Sequence, residues 1–197
     1  MSRRLFDAID KLDHAKKMAV QYMNEHHAGR QWFLVGGALR DTELGKPFKD
    51  FDIFVVGYET DPVPLHFNGE KAEAGDRNAY LMKAYTVRVE DIDLNLIFMR
   101  GDWDLKGIAD RCDFGICQIA WCPVTRETYR SEKYEADIKN KTLTVDRATV
   151  PERYDRMQAK FPEYTIRNPS NLPTSTGSWH YKDGKVVQVG SGEDWRA

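Results

Sequence analysis

The sequence has no apolar run approaching the roughly 18 residues that a bilayer-spanning helix needs, so no membrane span is expected. The basic start, Met1-Ser2-Arg3-Arg4, leads into a segment carrying Asp7, Asp10 and Asp13 instead of the uninterrupted apolar stretch of a secretory leader. A cytoplasmic location is therefore expected. Cysteine is scarce: Cys112, Cys117 and Cys122 are odd in number, five residues apart, and have no histidine cluster beside them. That pattern argues against a zinc site or a disulfide framework and for buried thiols in a reducing compartment. An excess of charge of one sign is lacking too. Lys and Arg number 29 against 31 Asp and Glu, a formal net charge of −2. Proteins that hold long RNA by its phosphates draw on a basic surface, so a large RNA footprint is not expected, although a local patch would suffice for a small one.

What remains is ordinary globular composition, 41% hydrophobic and 30% charged over 197 residues, enough for one catalytic domain with a small appendage. Residues 4–28 predict a helix, with Leu5, Ile9, Leu12, Ala15, Ala19 and Tyr22 at spacings of three and four, stopped by Gly29. Trp32 to Val35 reads as a buried strand, broken by Gly36-Gly37. Ala38 to Leu44 reads as a short helix and Asp50 to Val56 as a second strand. The polar stretch 57–79 is too long for a simple connector and reads as a substrate lid or an excursion. Two further strands follow, Tyr80–Glu90 and Asp91–Met99. A helix over Trp103–Arg111 has Asp102 as candidate N-cap. A later helix around Val150–Lys160 carries the capping-box pair Thr149 and Glu152, and residues 179–187 suggest a hairpin turning at Asp183-Gly184.

The chemistry concentrates in two places. A strand that meets Gly36-Gly37 and continues into a helix brings backbone N–H groups and the positive helix end to one spot, an arrangement suited to a triphosphate. A plain tight turn fits the same residues. The next strand carries Lys49-Asp50-Phe51-Asp52-Ile53, so Asp50 and Asp52 share one face while Phe51, Ile53 and Val55 face apolar packing. Two adjacent carboxylates repel unless a cation lies between them, and Mg²⁺ takes carboxylate and phosphate oxygens together. An acidic strand end in water is the alternative. A third carboxylate comes from Glu90-Asp91-Ile92-Asp93-Leu94-Asn95, where Asp91, Asp93 and Asn95 share a face. Asp93, deeper in the apolar strand, is preferred to Asp91. Three converging acids can hold two Mg²⁺ or Mn²⁺ ions.

Gly-Gly-x-x-Arg-Asp followed by Asp-x-Asp resembles the signature of class II tRNA CCA-adding enzymes and bacterial poly(A) polymerases. Arg111-Cys112-Asp113-Phe114-Gly115 is similar to that family's Arg-Arg-Asp-Phe-Thr segment: Arg111, Asp113 and Phe114 fit, while Cys112 and Gly115 depart from it. Asp137-Ile138-Lys139-Asn140-Lys141-Thr142-Leu143 is a fainter echo of the stretch that closes the family's head, and Glu152-Arg153-Tyr154-Asp155-Arg156 stands where its helical neck begins. For that last segment an amphipathic helix with charges outward fits equally well.

The resemblance spans roughly residues 31–145. It implies an α+β fold, the nucleotidyltransferase palm, a small mixed β-sheet with helices packed on one side. It places the palm over 31–145, which the apolar patterning flanks with an N-terminal helix over 1–30 and a short C-terminal helix and tail over 146–197. Asp50, Asp52 and Asp93 become the catalytic metal ligands, and Gly36, Gly37, Arg40, Arg111 and Asp113 the nucleotide-binding residues. The implied reaction moves a nucleoside monophosphate from a nucleoside triphosphate to an acceptor hydroxyl on an RNA 3′ end, a protein or a small molecule, releasing pyrophosphate. The altered Arg111–Gln118 segment also fits a nucleotide-binding or interaction protein that keeps the palm without the activity.

Overall fold

A computed structural model of the chain describes residues 3–59, 71–72, 81–147, 151–167, 178–182 and 185–189. It contains two compact units: Met1–Ala109 with Ile119–Arg130, and Asp110–Gln118 with Ser131–Ala197. This division differs from boundaries at 30 and 145, because the second unit takes a nine-residue segment out of the middle of the first. Among the described residues no helix is long and apolar enough to cross a membrane.

The first unit opens with α1 (Arg3–His26), two residues shorter at its end than expected, followed by β1 (Trp32–Val35) and α2 (Gly37–Glu43). Next come β2 (Asp50–Tyr58), β3 (Lys71–Ala72), β4 (Leu81–Val89), β5 (Ile92–Arg100) and α3 (Leu105–Ala109). The short strands β6 (Ile119–Trp121) and β7 (Thr128–Arg130) complete it. The seven strands form one sheet in the order β3-β4-β5-β2-β1-β6-β7. All neighbours are antiparallel except β2 and β5, so the sheet is mixed and the class is α+β with helices on one side. Alternation decides which face is covered. Phe51, Ile53 and Val55 of β2 and Ile92, Leu94, Leu96 and Phe98 of β5 are buried, while Asp50, Asp52, Asp93 and Asn95 between them stay at least partly open. β1 is buried at all four positions, as its unbroken apolar run requires.

Two local readings are corrected. The strand expected from Asp91 begins at Ile92, because Glu90 takes φ 53° and forms the hairpin turn with Asp91. The helix expected at Trp103 begins at Leu105. Asp104, not Asp102, caps it by accepting from the Gly107 N–H at 2.6 Å. Most of the stretch 57–79, the Thr149 cap and the Asp183-Gly184 turn lie outside the described residues.

The second unit holds a 3₁₀ turn at Gly115–Cys117, α4 (Glu132–Asn140), β8 (Thr142–Thr144), α5 (Pro151–Lys160), β9 (Thr165–Arg167), β10 (Ser178–Lys182) and β11 (Lys185–Val189). β8 pairs with β9 in parallel. β10 pairs with β11 antiparallel, Lys182 opposite Lys185, which is the hairpin register expected there. Ser131 caps α4 by accepting from Tyr134 N–H at 3.0 Å, and Lys141 ends it in the left-handed region.

The polar centre of this unit is Asp137, fully buried. Its carboxylate accepts from the Thr142 and Thr144 hydroxyls, both at 2.6 Å, and from the Thr144 N–H at 3.0 Å. A Cβ on Gly115 would stand 2.7 Å from Asp137 Oδ2. The glycine that departs from the expected motif is thus the residue that lets the 3₁₀ turn lie against this carboxylate. Asp137→Ala would strand one buried and two part-buried donors, so a loss of stability of about 1–3 kcal/mol is expected in urea unfolding, and Gly115→Thr should also destabilise. Unchanged midpoints for both would refute this account of the unit.

Candidate functional site

The open face of the sheet is organised by register. Parallel pairing puts Asp50 opposite Asp93 and Asp52 opposite Asn95. The β4–β5 hairpin puts Arg88 opposite Asp93 and Thr86 opposite Asn95. Two rows result across three strands, Arg88–Asp93–Asp50 and Thr86–Asn95–Asp52, one pleat repeat apart. Neighbouring strands lie about 4.8 Å apart, so side chains in a row are within reach of one another.

Each row carries its own polar contacts. Arg88 Nη1 donates to Asp93 Oδ1 at 2.7 Å, and Arg88 Nε donates to the Glu90 carbonyl at 3.2 Å. In the second row Thr86 Oγ1 donates to Asn95 Oδ1 at 2.8 Å, and Asn95 Nδ2 donates to Asp52 Oδ1 at 3.0 Å. Asp91 is not part of either row. From the hairpin turn it faces His14 of α1 at 3.5 Å, and His14, Glu90 and Asp91 form a separate exposed group with ligand atoms within 4.8 Å of one another.

The Gly36-Gly37 turn sits at the same end of the sheet. β1 runs antiparallel to β2 with Val35 opposite Asp52, so the chain leaves the sheet into Gly36 beside the Asp50 end. Gly36 has φ 77° and ψ −118°, a backbone state that L side chains avoid, and its N–H donates to Ile119 O at 2.8 Å. Its own N–H is therefore committed to the sheet. Gly37 has no positive φ, and the nearest atom to a Cβ there would be Arg40 Nη2 at 3.9 Å. The space over Gly37 is open, and the Arg40 guanidinium reaches back toward it. Arg40 and Asp41 are both almost fully buried and pair through Nε at 2.8 Å and Nη2 at 2.7 Å. Arg40, which the resemblance makes a nucleotide-binding residue, is held on Asp41 in the structure.

Arg111 and Asp113 belong to the second unit. The Asp113 carboxylate is gripped by Arg153 of α5, with Nε to Oδ2 at 2.9 Å and Nη2 to Oδ1 at 3.1 Å. Burial works against the Arg153 charge, but Cys117 and Asp113 beside it outweigh that and hold the guanidinium above its ordinary value. Arg153 is thus turned inward, unlike the outward charges of a plain amphipathic helix, and Tyr154 beside it is wholly buried. The Asp113 carbonyl also accepts from Asp146 and Arg147 N–H groups. Asp113 ties this unit together, whatever else it touches.

No protein-family model matches the chain, and no curated protein sequence matches it. Solved structures do. The chain is similar to the Thermotoga maritima CCA-adding enzyme complexed with tRNA, at 19% identity and TM-score 0.54, covering 84% of this chain and 42% of that one. It is similar to a CCA-adding enzyme with ATP, at 19% identity and TM-score 0.52, covering 84% and 41%. It is also similar to the Bacillus stearothermophilus CCA-adding enzyme in complex with CTP, at 16% identity and TM-score 0.51, covering 85% and 42%. The fold is that of a nucleotidyltransferase. The chain spans well under half the length of these neighbours.

On this nucleotidyltransferase fold, Asp50, Asp52 and Asp93 each offer carboxylate oxygens of the kind that Mg²⁺ and Mn²⁺ accept, but among the described residues the trio whose ligand atoms lie within 4.8 Å of one another is His14, Glu90 and Asp91. The three aspartates fit such an ion in chemistry, with Arg88 competing for Asp93. Thr86, Arg88 and Asn95 carry no site motif of their own in the sequence. Asn95 was legible only as a residue sharing the face of Asp93, and the β4 pair needed the hairpin register to be placed. The contrast between the two glycines is directly testable. Gly36→Ala should cost about 1–3 kcal/mol of stability in urea unfolding, whereas Gly37→Ala should leave stability unchanged or raise it by up to about 1 kcal/mol. Equal effects would contradict the backbone geometry of the turn.

Proposed function

We infer that the chain is a metal-dependent nucleotidyltransferase, transferring a nucleoside monophosphate from a nucleoside triphosphate to an acceptor hydroxyl. The observation that carries this reading is the placement of Asp50 and Asp52 on one open strand face, beside Asp93 and at the Gly36-Gly37 end of the sheet. Asp50, Asp52 and Asp93 would hold Mg²⁺ or Mn²⁺, which when bound neutralises phosphate charge and makes the attacking hydroxyl more acidic. The other work falls to the chain itself. Open space at Gly37 lets phosphate oxygens approach the first turn of α2, whose N–H groups have no intrahelical acceptor. Arg40, fixed by Asp41, places a guanidinium beside that approach. The acceptor oxygen attacks the α-phosphorus, the bond to the bridging oxygen breaks, and pyrophosphate leaves. The hydroxyl proton passes to Asp93 or to solvent. In-line positioning and charge neutralisation supply most of the rate.

Arg111 and Asp113 remain nucleotide-binding candidates on the sequence pattern. Asp113 would reach a nucleotide only while keeping or exchanging its hold on Arg153. The acceptor is an RNA 3′ end, a protein side chain or a small molecule; the near-even charge balance favours the smaller acceptors over long RNA. A second reading, nucleotide binding without transfer, is favoured by Arg88 standing on Asp93 where a metal would compete.

Incubation with labelled nucleoside triphosphates, Mn²⁺ and total RNA and protein decides between the two. Label should enter an acceptor with release of pyrophosphate, and Asp50→Asn or Asp52→Asn should lower turnover by roughly 100-fold or more while the fold persists. Nucleotide binding without any labelled product would favour the second reading. Near-wild-type turnover in either variant would remove the metal assignment. Separately, Gly37→Val should abolish triphosphate binding by calorimetry, because its side chain fills the space over the turn. Unchanged affinity in the folded variant would move the triphosphate elsewhere.

A further inference from the structure

We propose that Asn95 and Thr86 form a positioning relay that fixes the Asp52 carboxylate for metal binding, a proposal that rests on the reading above. The three residues form one row across β4, β5 and β2, with Thr86 opposite Asn95 and Asn95 opposite Asp52. The direction of the relay follows from donor chemistry. An ionised carboxylate can only accept, so the face of the Asn95 amide turned to Asp52 must be its NH₂ group. A flipped amide would set its carbonyl oxygen against Asp52 Oδ1. The Asn95 carbonyl oxygen then faces β4, where it needs a donor, and the Thr86 hydroxyl supplies one at 2.8 Å. Thr86 thereby selects the amide orientation, and the amide takes Asp52 Oδ1 at 3.0 Å.

The neighbouring row ends its carboxylate pair with a cation, Arg88 on Asp93. In the Asp52 row Thr86 holds the β4 place of Arg88, and the amide of Asn95 holds the β5 place of Asp93. The amide orients the carboxylate through a hydrogen bond to one of its oxygens. Partners of this kind behind a metal ligand typically change metal affinity by roughly 10- to 100-fold when removed. Asn95 and Thr86 are positioning residues here, acting through Asp52.

The test is a Mn²⁺ titration of the full chain without nucleotide, followed by the paramagnetic signal of the free ion. Asp52→Asn should abolish the site. Asn95→Ala should weaken Mn²⁺ binding by roughly 10-fold or more. Thr86→Val, close in shape but lacking the hydroxyl, should weaken it in the same direction, and Thr86→Ser should restore it. A purely structural role would lower the unfolding midpoint of Thr86→Val and leave the Mn²⁺ affinity of the folded protein unmoved. If Asp52→Asn abolishes binding while Asn95→Ala and Thr86→Val bind as the unmodified chain does, the relay is wrong and the metal reading stands. If Asp52→Asn binds Mn²⁺ unchanged, the metal reading falls and the relay with it.

Discussion

The parallel pairing of β2 with β5 is the constraint on which the open face depends. In a sheet otherwise built from antiparallel neighbours, this one junction sets Asp50 against Asp93 and Asp52 against Asn95. A slip of one residue would send every one of these side chains to the covered face and bring Phe51, Ile53, Leu94 and Leu96 out into water. The apolar face therefore fixes the register, and the register fixes the polar rows. No separate device is needed to gather the acids. The same burial that stabilises the sheet, roughly 25 cal/mol for each Å² of apolar surface removed from water, also determines where the carboxylates stand.

Gathering carboxylates has an electrostatic cost, and the two rows meet it differently. Arg88 sets a positive charge on Asp93 at the wetter, hairpin end. In the other row Thr86 donates to Asn95, and the Asn95 amide donates to Asp52. The buried Arg40–Asp41 pair at the start of α2 adds a fixed guanidinium beside the glycine turn.

Much of this was legible in the sequence because it is local. The unbroken apolar run of β1, the alternation through Asp50–Val55 and Ile92–Phe98, and the two glycines between strand and helix each announce their structure within a few residues. Asp93 stands within the strand opposite Asp50, while Asp91 sits in the turn before it. What escaped was non-local or weakly coded. Glu90-Asp91 is not a glycine-bearing turn, so the hairpin boundary was displaced by one residue. β6 and β7 have three residues each, too few to show a period. α4, by contrast, has a Ser131 cap that is local and readable. The second unit is assembled from Asp110–Gln118 and a distant later stretch, which no local pattern can reveal. Asn95 shows no role in the sequence, because an amide gains meaning only once its partners on two other strands are known.

The central claim is that Asp50 and Asp52 are the place where a divalent cation meets this fold. Crystals grown with Mn²⁺ and a non-hydrolysable nucleoside triphosphate test it most directly, through the anomalous scattering of the metal. The account predicts a peak at coordination distance from oxygens of both Asp50 and Asp52, with the triphosphate extending toward Gly37. A peak at His14, Glu90 and Asp91 with none at Asp50 and Asp52, or triphosphate density away from the glycine turn, would contradict it.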